Sequence, residues 1–119
     1  MKKIFVVLFG LATAGQVFAA GTDICGGTAG AHDATAAVAA GGTNFVVTSF
    51  TPKCSSNTFV AYEQNQVAFV VAAASAKGKN IFTGTTGGGG VKQAAACTGG
   101  ICTTASATGA TAAVLAAST

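Results

Sequence analysis

The fold is decided by residues 58–83, TFVAYEQNQVAFVVAAASAKGKNIFT. Positions 58–63 are rich in β-branched and aromatic residues and are bounded by polar residues, which is typical of a strand. Within 66–76, large apolar side chains fall mainly at odd positions and alanines mainly at even ones, so this segment is predicted to be a strand buried on both faces. The polar residues at 77–80 predict a turn into a short strand at 81–83, and the two strands predict a hairpin.

The segment before this stretch has the same character. Residues 44–51, NFVVTSFT, are ended by Pro52 and predict a further strand, because valine, phenylalanine and threonine favour extended backbone. Residues 44–82 contain 13 of the 19 large apolar side chains that follow position 19, so the folding centre is predicted there. A core of this size gains from covalent cross-links or from neighbouring molecules.

The flanking arms, 20–43 and 83–119, are rich in glycine, alanine and threonine. The pentapeptide Ala-Thr-Ala-Ala-Val occurs in both, at 34–38 and 110–114, an echo that so biased a composition produces by chance. In the first arm, an aspartate before the pentapeptide predicts a capped helix over residues 34–40. The second copy predicts an edge strand or a tail that inserts into a neighbour.

Glycine is concentrated in a second place, at 83–90, where it occupies five of the eight positions. This composition predicts a mobile loop. A phosphate-binding loop is the alternative, but the Lys-Ser/Thr pair that such a loop needs does not follow.

Four cysteines are present, Cys25, Cys54, Cys97 and Cys102. An even count in a short exported chain predicts a disulfide framework. Four cysteines allow three pairings, and we favour Cys25 with Cys54 and Cys97 with Cys102, because two glycines between the latter pair allow a tight ring. A metal site or redox dithiol is disfavoured, since no Cys-x-x-Cys occurs and His32 is the only histidine.

The first residues have the three-part order of a secretory signal. Two lysines precede an apolar run at 4–12, and Val-Phe-Ala stands at 17–19. The apolar run is much shorter than the roughly 20 residues of a membrane-spanning helix. We therefore predict cleavage after Ala19, a signal peptide at 1–19 and a single mature domain at 20–119, with no membrane span after cleavage. The predicted location is secreted, extracellular or at the cell surface, through the periplasm in a Gram-negative cell.

Charges are scarce after the predicted cleavage site, with four lysines, three acids and no arginine. About a quarter of the residues are charged in ordinary soluble domains. Few charges mean little repulsion between copies, so the composition favours self-association. Scattered lysines without arginine predict no nucleic-acid partner.

Groups suited to catalysis are equally scarce. His32 is the only imidazole of the chain, and Asp23, Asp33 and Glu63 are its only acids. His32 and Asp33 are a formal base and orienter, but sequence neighbours rarely aim at each other. The sequence therefore predicts no enzyme, no catalytic residue, no metal and no cofactor.

These patterns predict a mostly β fold: a small disulfide-stapled sandwich or irregular barrel of about six to seven short strands, with Gly/Ala/Thr-rich arms. The predicted function is an exported structural subunit of an extracellular or cell-surface homopolymer, a fibre, pilus-like filament or layer, that assembles by strand addition. The composition is typical of bacterial exported structural proteins. The alternatives are a soluble secreted small binding module or toxin-like factor, and a surface- or ice-binding protein suggested by 17 threonines.

Overall fold

A five-stranded antiparallel sheet forms the centre of the fold. The structure, a computed structural model, describes residues 21–118. Within that range the elements are, in chain order, β1 (Thr22–Gly26), β2 (His32–Asp33), β3 (Lys53–Cys54), β4 (Thr58–Gln64), β5 (Phe69–Ser75), β6 (Asn80–Thr85), β7 (Lys92–Ala96), a 3-10 turn (Thr98–Gly100) and α1 (Thr104–Ala117). The predicted signal peptide at 1–19 and its cleavage site lie outside the described residues.

The strand order of the large sheet is β1-β4-β5-β6-β7, and all its pairings are antiparallel. The strands β4 to β7 are consecutive neighbours, so the predicted hairpin at 66–76 and 81–83 is confirmed as β5 and β6. Ala61 is paired with Ala72, and Ala72 with Thr83, so these three side chains share one face. The strands β2 and β3 form a separate two-stranded sheet, in which Lys53 forms an ion pair with Asp33.

The helix α1 covers one face of the large sheet, called here the helix face. Alanine is the strongest helix former, and α1 begins with a capping box in which the Thr103 N–H donates to Ser106 Oγ at 3.3 Å. Small side chains on both elements let the helix lie close to the sheet. The buried cluster between them contains Ala61, Ala72, Ala74, Ile81, Cys97, Cys102 and Ala107.

The opposite face, called the outer face, is covered over β1 and β4 by the chain between β1 and β4. This cover packs Val38 and Cys54 against Ile24, Cys25 and Tyr62. The Tyr62 hydroxyl accepts a hydrogen bond from the Ala39 N–H at 3.1 Å. Strand β4 is thus covered on both faces, by α1 on one face and by the chain between β1 and β4 on the other.

Both predicted disulfides are present. Cys25–Cys54 joins β1 to β3 across 29 positions of sequence, and Cys97–Cys102 closes a ring of separation 5 between β7 and α1. All four cysteines are buried. Two disulfides fit a protein that folds in an oxidising compartment.

The predicted mostly β fold with six to seven short strands is confirmed, since seven strands lie in sheets within residues 21–118. The large sheet does not close into a barrel, because β1 and β7 remain its two edges. The small β2–β3 sheet packs on the outer face through Cys54. That one domain spans 20–119 stays a prediction.

Two predictions for the region before β4 are wrong. Residues 44–51 form no strand, because the only pairing there is an isolated bridge between Phe50 and Val38. Residues 34–40 form no helix, because the chain runs across the sheet and uses its backbone groups in tertiary hydrogen bonds, such as Thr35 N–H to Ile24 O at 3.0 Å. Long-range partners, rather than local propensity, decide both segments.

Two predictions for the second arm also need correction. Residues 110–114, predicted as an edge strand or an inserted tail, lie inside α1. Packing on the alanine-rich helix face favours a helix there. The predicted loop at 83–90 begins later, because β6 extends to Thr85.

Candidate functional site

The first edge of the large sheet, β1, is covered by the chain itself. Ile24 forms a bulge, since its neighbours Asp23 and Cys25 pair with consecutive residues of β4. The carbonyl of Ile24 accepts hydrogen bonds from the Thr35 N–H at 3.0 Å and from Thr35 Oγ1 at 3.3 Å. The Cys25–Cys54 disulfide holds the small sheet beside this edge. A further strand therefore has little access to β1.

The second edge, β7, is open. It ends the strand order and, within the described residues, is paired only with β6. All five of its residues are exposed, and Lys92 is its only charge. Unpaired N–H and C=O groups along an edge are a template for another strand. Ala94 has no partner on β6, so β7 carries a bulge.

A groove runs along β7 on the helix face. It lies between β7 and the last three turns of α1 and has a volume of about 580 Å³. Its walls are mostly small side chains, which include Ala95, Gly109, Ala110, Ala113, Val114 and Ala117. We call this feature the α1–β7 groove. Small walls leave room for larger apolar side chains.

An apolar strip runs beside β7 on the outer face, where the first arm does not reach. It borders a shallow depression of about 360 Å³ without a charged side chain. Phe82 is 46% exposed and Val91 is 75% exposed. We call it the outer strip, formed by Phe69, Val71, Ala73, Phe82 and Val91. Phe69, Val71 and Ala73 are partly buried, so Phe82 and Val91 supply most of its exposed apolar surface. Exposed apolar patches mark interaction sites.

The groups considered for catalysis are not brought together. His32 Nδ1 lies 2.9 Å from the carbonyl oxygen of Gly30, whereas Asp33 forms an ion pair with Lys53. His32 therefore has no orienting carboxylate from its sequence neighbour. Within residues 21–118, no three His, Cys, Asp or Glu side chains are grouped as a metal site would require.

Glu63 is a partly buried acid of the large sheet. It lies on β4, on the helix face, and its Oε2 is buried without a hydrogen-bond partner among the described residues. Burial raises the pKa of the Glu63 carboxyl above its ordinary value of 4.5. Within residues 21–118, no hydrogen bond joins the Glu63 carboxyl to a second acid or base.

Helices in the described part of the chain are too short or too polar to cross a bilayer. Comparisons with protein-family models, with curated proteins and with solved structures find no match for the chain. The site is therefore defined by geometry alone: an open strand edge with a mostly apolar groove on one side and an apolar strip on the other.

Sequence reasoning identified the four cysteines but not this surface. The α1–β7 groove depends on a helix at 104–117, and its residues lack the apolar periodicity that reveals a surface helix. The usable signal was the capping pattern that begins at Thr103, followed by alanine-rich sequence.

Proposed function

We propose that the mature chain is a structural subunit of an extracellular or cell-surface polymer, and that copies of it assemble by strand addition at β7. The observation that carries this proposal is the open β7 edge, which has the mostly apolar α1–β7 groove on one side and the outer strip on the other. A strand added there would pair its backbone with β7 and bury side chains in both.

The free energy needed to hold two copies together requires the backbone ladder, the groove and the outer strip to act together. Burial of an exposed valine or phenylalanine contributes about 1.5–3 kcal/mol, whereas association costs about 4–15 kcal/mol in lost freedom. Phe82 and Val91 alone would therefore not hold two copies together. A backbone ladder along β7 and contacts in the α1–β7 groove would supply the remainder.

Charge and covalent structure support the same function. The chain after the predicted cleavage site has a side-chain charge of +1 from four lysines and three acids, so repulsion between copies is weak. The two disulfides stabilise a small core in the oxidising space where such a polymer would form. His32 contacts the Gly30 carbonyl and Asp33 pairs with Lys53, so the two side chains do not form a base and its orienter, which supports a non-enzymatic role.

The deciding experiment is the size of the mature, oxidised protein from the native extracellular fraction. Sedimentation followed by negative-stain imaging should show fibres or sheets that contain this chain, and N-terminal sequencing should begin at Ala20. A protein that stays monomeric at high concentration would overturn the proposal.

A monomer would favour the second candidate, a secreted binding module. The observation behind it is the α1–β7 groove, whose volume of about 580 Å³ lies in the range of small-ligand sites. Ligand binding in the groove would then protect β7 amides from exchange while the protein remains a monomer.

A further inference from the structure

The 44–51 segment has the composition of a strand but forms none in the structure. Val47 is 88% exposed, and Phe45 and Phe50 are about half exposed. Among the described residues, the backbone groups of Phe45 and of 47–49 make no hydrogen bond. Large apolar side chains and unpaired backbone therefore occur together in a segment that favours extended structure.

The apolar character of this segment matches β7 on both sides. In an extended chain, Phe45 and Val47 would point to one face and Val46 and Phe50 to the other. A strand added to β7 has one face on the α1–β7 groove, which is mostly apolar but includes Lys92 and Gln93, and one on the outer strip, which has no charged side chain. A strand with one polar face would match only half of this surface.

Charge is compatible with the same pairing. The 44–51 segment carries no charge, and Lys92 is the only charged residue of β7. A second β7 is a poorer partner, because it would bring a second bulge and a second lysine to the ladder. The other edge, β1, is covered by Thr35. The uncharged 44–51 segment, whose backbone is unpaired at Phe45 and at 47–49, is the best match in the described chain.

We propose that the 44–51 segment of one copy adds as a strand to β7 of a second copy. This inference rests on the proposed function and names its donor. The donor is held over β4 through the Val46 N–H, which donates to Gln64 Oε1, and β4 is three strands from β7. At about 4.8 Å per strand, the two surfaces of one copy are roughly 14 Å apart.

Because donor and acceptor are different surfaces, the contact is head-to-tail. Each copy that accepts a strand still offers its own 44–51 segment to another copy. A heterologous contact that does not close into a ring produces an open filament. A contact between two β7 strands would instead be two-fold and would stop at a dimer.

Three matched valine-to-lysine variants of the mature, oxidised protein test the proposal. Val47→Lys changes the donor and Val91→Lys changes the outer strip. The control, Val67→Lys, adds the same charge at a residue that is 67% exposed in the turn between β4 and β5. Because all three valines are exposed, each variant should fold, which thermal melts and an intact disulfide count would verify.

We expect the wild type and Val67→Lys to polymerise alike in sedimentation. Val47→Lys and Val91→Lys should each need at least about 10-fold higher concentration to associate, which corresponds to a loss of about 1.4 kcal/mol. Mixed in equal amounts, these two variants should form a one-to-one complex and no filament. The intact donor of one then meets the intact acceptor of the other, and only one contact is possible.

The alternatives give different results. If Val47→Lys polymerises like the wild type while Val91→Lys does not, the donor assignment is wrong and the proposed function stands. If both variants polymerise like the wild type, neither surface takes part and the inference is overturned. A wild type that is monomeric at every concentration overturns the inference and the proposed function together.

Discussion

The two edge strands of the large sheet have the same length but different surroundings. Both are five-residue strands, and both contain a bulge, at Ile24 in β1 and at Ala94 in β7. The β1 edge is closed within the chain by Thr35 and by a disulfide to the small sheet. The β7 edge has no such cover in the described residues.

This difference shows that the exposure of an edge strand depends on which part of the sheet the flanking arms cross. The first arm crosses back over β1 and β4, whereas the second arm turns after Cys102 and crosses the helix face. An open edge strand in a protein with so few charges promotes unwanted aggregation of a monomer, but in a polymer it can form the contact between subunits. The open edge thus supports assembly better than composition alone does.

The largest effect should come from removal of the staple at the closed edge. Replacement of Cys25 and Cys54 by alanine releases a loop of separation 29, and replacement of Cys97 and Cys102 releases one of separation 5. Loop entropy predicts losses in unfolding free energy of about 3.5 and about 2 kcal/mol, respectively. Urea denaturation of the two double variants measures both.

The ranking of the two losses is the critical result. Equal losses, or a larger loss for the pair at 97 and 102, would contradict the view that the long staple dominates. The Cys25/Cys54 variant should also expose the β1 edge, so amide exchange at Thr35 should accelerate while β7 amides stay unchanged.

The centre of the fold was predictable from sequence because its signals are local. Strong β-branched and aromatic composition located β4, and period-two spacing located β5, whose alanines at 72 and 74 meet the helix. The disulfide pairing was also predictable, since two glycines lie within the short ring. These features need no knowledge of the remainder of the chain.

The arms and the candidate site were not predictable because their structure depends on distant partners. The helix α1 has small side chains all round, so no periodic apolar stripe marks it. The 44–51 segment has a strand pattern, but β1 is already covered by Thr35, and the segment's own strand pairing is limited to the bridge between Phe50 and Val38. Its failure to form a strand, visible only in the structure, is what suggests an intermolecular partner.

A smaller loss of stability should follow when the chain segment that covers β1 and β4 is held less tightly. Tyr62→Phe removes the hydroxyl that accepts the Ala39 N–H and keeps the ring, which stacks on Phe69 at 5.6 Å between centroids. The unfolding free energy should fall by about 1 kcal/mol, since the part-buried hydrogen bond from the Ala39 N–H is lost. Urea denaturation measures this loss.

Amide exchange provides the control for this variant. Exchange should accelerate at Ala39 and remain unchanged at Thr35, whose N–H bonds to Ile24 instead. Unchanged exchange at Ala39 would show that the hydroxyl does not hold the cover in place.

The smallest effect concerns Glu63, the half-buried acid beside the closed edge. Because burial raises the pKa of its carboxyl above 4.5, the folded state binds the proton more tightly than the unfolded state. Stability is therefore lost as the pH rises through 4.5 towards the folded pKa, and the loss is complete above it.

Glu63→Gln removes this loss, so the variant should melt at a higher temperature than the wild type at pH 7. The difference should disappear below about pH 4, where the carboxyl is protonated in both states. A difference of the same size at both pH values would mean that shape or hydrogen bonding, rather than the buried charge, distinguishes the two side chains.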